Sequence, residues 1–162
     1  MTRAGMRIAL QSAQQLPVFG DQQAAEAELL AFSDKRLRSL ENAAATSDRF
    51  KAEYTPESLK VLERWYFELL EGDGFAALDI PQIEFEECLA MYFLETAVRQ
   101  GGVRWTVDEN AFVPGHYEIG VTRPLFTMYA DRFSHLPRLR QNKRRQAMCR
   151  QFKQLFDPVA GG

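Results

Sequence analysis

Four glutamates and a thiol crowd one short stretch: Glu84, Glu86, Glu87, Cys88 and Glu95. On a helix, Glu84, Cys88, Met91 and Glu95 share a stripe, with Glu86 and Glu87 beside it. Paired carboxylates can move protons or bind a hard metal ion. A carboxylate metal site usually recruits histidine, and no Glu-x-x-His spacing occurs here. A plainer electrostatic account exists. Glu84, Glu86 and Glu87 fall in the opening turns of the helix, where its dipole favours negative charge. Glu95 is placed to pair with Arg99 at i+4. No metal ion or other cofactor is expected.

The other reactive side chains are few. The chain has two histidines, His116 and His135, each in a turn. Neither has a serine, cysteine or carboxylate partner at a recognisable catalytic spacing. Its two cysteines, Cys88 and Cys149, lie among apolar neighbours in predicted helices. They read as buried, reduced thiols of a cytoplasmic protein. Gly72-Asp73-Gly74 and Gly101-Gly102 form neither a dinucleotide fingerprint nor a phosphate loop.

Charge is distributed unevenly. The net charge is −2, yet residues 53–95 carry eleven acids against two bases. Residues 132–162 carry eight bases against one acid. Such segments can attract each other within the fold, or each can face a partner. No apolar run reaches the ~18 residues of a membrane span.

The elements that position these groups follow from periodicity and capping. At 162 residues, with 46% hydrophobic side chains, one domain over 1–162 is expected. Residues 1–20 read as an irregular arm or an edge strand, broken by Pro17 and Gly20. Residues 158–162 read as a flexible tail. A helix is predicted from Asp21 to about Ala43. A second begins at Thr55-Pro56-Glu57 and stops at Gly72. Its Leu59, Leu62, Tyr66 and Leu69 form an apolar face, and Arg64 and Glu68 make an i,i+4 pair. A third, from about Pro81 to Gln100, has a wide apolar band through Phe85, Leu89, Tyr92, Phe93 and Ala97.

After Gly101-Gly102 the period changes to two. Val103, Trp105 and Val107 alternate with Arg104, Thr106 and Asp108. Tyr117, Ile119 and Val121 follow the same rule, with Pro114-Gly115 in the turn between. The aromatic run at 125–133 suits either a helix or a strand, and the spacing of Leu125, Met128, Tyr129 and Phe133 favours a helix. A last helix over 138–156 has Met148, Phe152, Leu155 and Phe156 on one face. Lys143, Gln146, Arg150 and Lys153 lie on another. The fold class is therefore α+β and mostly helical. Four to five helices pack on a small antiparallel hairpin or sheet, with strands near 103–108 and 117–121.

The string from Tyr92 to Trp105 resembles a pattern of small uncharacterised bacterial proteins, in which a helix runs through Gly-Gly-x-x-Trp into a strand. Some of these are similar to immunity proteins that neutralise a cognate toxin. Glu95, Gly101, Gly102 and Trp105 match the pattern, while Leu94 stands where a glycine is usual. The resemblance implies a structural signature: the glycines reverse the chain and Trp105 plugs the helix–sheet interface. It also implies a toxin-neutralising or accessory role.

Together these observations point to a non-enzymatic cytoplasmic protein-binding domain. Its expected partner surface is acidic, built from Glu57, Glu68, Glu71, Asp73, Glu84 and Glu87, and suited to a basic protein such as a toxin. The alternative is a nucleic-acid-associated or regulatory protein using the basic C-terminal helix. An enzyme would have to assemble its site from Glu84, Glu95 and His116. No pattern sets an oligomeric state.

Overall fold

In a computed structural model the described residues are 2–130. They form five helices and three strands: α1 (Arg3–Gln14), α2 (Gln22–Ala45), α3 (Pro56–Glu71), α4 (Gly74–Leu78), α5 (Gln82–Gln100), β1 (Arg104–Glu109), β2 (Tyr117–Arg123) and β3 (Phe126–Tyr129). The α+β, mostly helical class is as expected, with a third strand added to the hairpin. The last predicted helix, His135, Cys149 and the tail at 158–162 lie outside the described residues.

Local chemistry sets the helix ends. Asp21 caps α2 by accepting the Ala24 amide at 2.8 Å. Thr55 and Ser58 cap α3 reciprocally, with serine in place of the usual glutamate or glutamine at the third position. Gly72 ends α3 in an extended conformation. Helix α5 is the central element: ten of its residues are buried, including Phe85, Leu89, Tyr92 and Phe93. Gly101 and Gly102 both adopt positive φ, at 90° and 83°, and turn the chain into β1.

The strands form an antiparallel meander in the order β1-β2-β3. Trp105 pairs with Val121, Val107 with Ile119, and Val121 with Met128. Val107, Ile119, Val121 and Met128 are buried and join the helical core. On the opposite face Gly120 lies between Thr106 and Tyr129. Tyr129 reaches past it to donate to Asp108 on β1 at 2.7 Å. A Cβ at position 120 would sit 2.1 Å from the Met128 carbonyl oxygen, so only glycine fits.

Three expectations are corrected. Residues 3–14 are helical rather than irregular, with Thr2 Oγ1 accepting the Gly5 amide. The edge-strand reading holds only for the segment after α1, where Val18 bridges His116. Residues 126–129 are a strand and not part of a helix. Pro124-Leu125 makes a two-residue turn, with Leu125 at φ 67°, that returns the chain along β2. The α3 ion pair also differs: Glu68 faces Arg49, on the preceding loop, at 3.8 Å.

Candidate functional site

The signature residues meet at the C-terminal end of α5. Glu95 Oε2 accepts the Trp105 indole N–H at 2.8 Å, and its Oε1 accepts Arg99 Nε at 3.1 Å. The Arg99 guanidinium lies 3.6 Å from the centroid of the Tyr54 ring. The Tyr54 hydroxyl donates to Glu41 of α2. Burial, reinforced by that carboxylate, pushes the Tyr54 phenol well above its ordinary range. Together these groups line a shallow pocket of about 210 Å³. Both Glu95 oxygens are engaged, so the cluster ties α5, β1, α2 and the 54–55 corner together. Trp105, half-buried, is part of this tie at the helix–sheet boundary.

A second polar cluster is fully interior. Tyr92 accepts the Tyr54 amide at 2.8 Å and shares a hydrogen bond with Ser58 Oγ at 2.6 Å. Burial raises its phenol. Ser58 thus caps α3 and links it to α5 with one hydroxyl.

The six acids expected to face a partner fall into two groups. Glu84 and Glu87 flank Arg36 of α2, at 3.1 Å and 2.7 Å, so an internal cation already holds them. Glu57, Glu68, Glu71 and Asp73 are exposed along α3 and just beyond it. Glu86, between Glu84 and Glu87 in sequence, accepts the Tyr66 hydroxyl at 3.1 Å.

The candidate reactive groups are kept apart. His116 Nδ1 lies 2.8 Å from the Leu16 carbonyl, Glu84 is on Arg36, and Glu95 is on Trp105 and Arg99. Cys88 is buried, and burial pushes its thiol up to about 12 despite the nearby Arg36. A thiol so protonated is a poor nucleophile at neutral pH. Among the described residues, no three of His, Cys, Asp and Glu are grouped to hold a metal ion. Nor is any described helix long and apolar enough to cross a membrane.

One apolar concavity is not marked by any sequence signal. A half-open apolar groove of about 770 Å³ runs between α2, α5 and β2. Leu29, Phe32, Ile83, Met91 and Ile119 form its floor and walls. Ile83, in the first turn of α5, is 71% exposed. Glu28, Glu86, Glu87 and Glu118 stand around it, and no lysine or arginine is among the described residues that line it. Its position follows from strand coverage. On the side of β2 away from β1, β3 pairs with residues 120–123. Residues 17–19 take the other end, where the Tyr117 amide donates to the Pro17 carbonyl at 3.0 Å. The groove opens at the gap between.

Fold and surface together define a small α+β protein whose helical layer covers one face of a three-stranded meander, with an apolar groove along their junction. The chain belongs to the family described as "Uncharacterised protein YwmA", which matches residues 18–156. It is 26% identical over 114 residues to the Bacillus subtilis (strain 168) protein described as "Uncharacterized protein YwmA". That match covers 70% of this chain and 72% of the relative. No solved structure matches.

Proposed function

We propose that this is a non-enzymatic protein-binding domain, acting in the cytoplasm, that engages a basic partner through the acids of α3. In its specific form the partner is a toxin and the domain its neutralising immunity or accessory protein. The observation that carries this reading is the display of Glu57, Glu68, Glu71 and Asp73. All four are exposed, Asp73 just beyond the helix, while Leu59, Leu62, Tyr66 and Leu69 of α3 are buried. The carboxylates are therefore presented on a fixed scaffold, and a fixed field of one sign speeds encounter with an oppositely charged surface. Glu84 and Glu87 are a weaker part of that surface because Arg36 neutralises them.

The test is co-expression with the product of the adjacent reading frame, followed by purification at low and high salt. The expected result is a complex that weakens as salt rises and is lost when Glu57, Glu68, Glu71 and Asp73 are all changed to lysine. No complex at low salt, or one indifferent to these four changes, overturns the proposal. Binding of the chain to duplex DNA at low salt would instead favour the nucleic-acid alternative.

A further inference from the structure

We propose that the hollow between Arg104 and Arg123, where β1 begins and β2 ends, binds the phosphate group of a small soluble phosphate ester. This site is independent of the acidic surface of α3.

Charge is the first ground. The hollow has a volume of about 450 Å³ and is lined by Gly102, Val103, Arg104, Thr122, Arg123 and Pro124. Two of these residues are arginines and none is acidic. No described carboxylate pairs with either guanidinium, whereas Arg36, Arg38, Arg49 and Arg99 each meet an aspartate or a glutamate. Two cations that share one hollow repel each other, and an anion between them removes that cost.

Placement is the second ground. Arg104 stands opposite Thr122 on β2, and Arg123 opposite Phe126 on β3. Side chains alternate along a strand, so Thr122 and Arg123 leave β2 on opposite faces. The two arginines therefore reach the hollow from opposite sides of the sheet. The Arg123 Cζ lies 5.4 Å from the centroid of the Phe126 ring, a contact that restrains the guanidinium before any ligand arrives. Its Nε is buried and donates to no acceptor among the described residues. An unpaired buried donor on a charged group is costly, and negative charge against the same guanidinium offsets that cost. Gly102 leaves the backbone open beside them: at φ 83°, an added Cβ would meet nothing within 4 Å.

Shape and size set the ligand class. The planar fork of arginine matches phosphate oxygens in pairs. A water molecule occupies about 30 Å³ in the liquid, so a bare phosphate ion leaves most of the hollow unfilled. The organic group of an ester would take up the remainder.

The test uses the full chain, isotope-labelled. Inorganic phosphate and glycerol 3-phosphate are titrated separately at constant ionic strength, and the amide signals of Gly102, Val103, Arg104, Thr122 and Arg123 are followed. Saturable shifts at these residues are expected, with the ester binding more tightly than the ion. Arg104→Gln and Arg123→Gln are each expected to weaken binding by about tenfold, the effect of one charge-assisted hydrogen bond, and the double variant to abolish it. Arg104 is exposed, so its variant tests the site even if Arg123→Gln folds poorly. Shifts that do not saturate, that sodium chloride reproduces, or that persist unweakened in Arg104→Gln overturn the proposal. An ester that binds no more tightly than inorganic phosphate overturns the ligand class. A response to phosphatidic acid in phosphatidylcholine vesicles, with none to either soluble probe, assigns the phosphate to a membrane and overturns it equally.

Discussion

Helix α5 meets its neighbours in two different ways. Toward α3 its side chains are locked in an aromatic seam. Phe85 meets Trp65 edge-on at 5.3 Å and stacks parallel to Tyr66 at 6.2 Å, while Tyr92 lies 4.6 Å from Tyr54 and 5.3 Å from Phe50. The Tyr92 hydroxyl within that seam is fully engaged. Toward α2 and β2, α5 borders an open groove where Ile83 is mostly exposed and Arg36 bridges two glutamates. One flank is finished by interdigitated rings. The other is bounded by apolar walls with charge at the rim. Both hold the fold, because α2 packs closely along α5, and the groove opens only at the edge of that packing toward β2.

The sharpest way to break this contrast is to empty the seam. Phe85→Ala removes a wholly buried ring from its aromatic neighbours Trp65, Tyr66 and Phe75 and is expected to lower stability by about 3–5 kcal/mol, read from denaturant midpoints. A loss under about 1 kcal/mol would show that the seam is not tightly packed. Tyr92→Phe keeps the ring but strands the buried Tyr54 amide, while the Ser58 hydroxyl keeps its bonds to Thr55. The expected loss is about 1–3 kcal/mol, with little change in the aromatic packing signal of near-ultraviolet dichroism.

Cys88 tests how dry the α2-facing side of α5 is. Its thiol is raised from about 9 to about 12, chiefly by burial. The unfolded chain therefore ionises first and binds fewer protons than the native state above pH 9. This contribution is complete below pH 9 and is lost as pH rises toward 12, at about 1.4 kcal/mol per unit. Cys88→Ala should flatten that part of the alkaline stability profile, and an unchanged slope would mean that solvent reaches the thiol. The smallest effect belongs to the rim. Arg36→Ala breaks two partly exposed ion pairs and should lower stability by about 1 kcal/mol or less, with the difference shrinking in high salt.

How far the sequence anticipated this molecule depends on which signals are local. Helices α2, α3 and α5 announced themselves through Asp21, the Thr55-Pro56 start and sustained apolar periods. Strands β1 and β2 did so by alternation. Strand β3 was misread because Leu125, Met128 and Tyr129 also fit a helical period, and because its turn carries leucine at a positive φ where glycine would be the usual signal. Helix α1 has only a short apolar run, and α4 is five residues long between breakers. Glu95 and Trp105 stand out together in the sequence, but the hydrogen bond between them became visible only in the structure. The Glu95–Arg99 pair is legible from its i,i+4 spacing, whereas the extension to Tyr54 and Glu41 needed the tertiary fold. Likewise, nothing local marked Glu84 and Glu87 as held by Arg36, 48 and 51 residues away. The groove was invisible because its walls come from stretches far apart in the chain, each of which reads as ordinary core.

The short pairing of residues 17–19 with 115–117 has a kinetic consequence. His116 and Leu16 are 100 residues apart, so this contact closes a loop spanning most of the described chain. Contacts that distant form slowly and tend to appear after the rate-limiting barrier. Interactions made on the far side of the barrier leave the folding rate almost untouched and retard escape from the native basin. The N-terminal seam thus acts as a latch on the lifetime of the native state. Weakening it with Phe19→Pro, which removes the amide that donates to the Gly115 carbonyl at 3.0 Å, should accelerate unfolding in a chevron experiment while the refolding limb stays where it was.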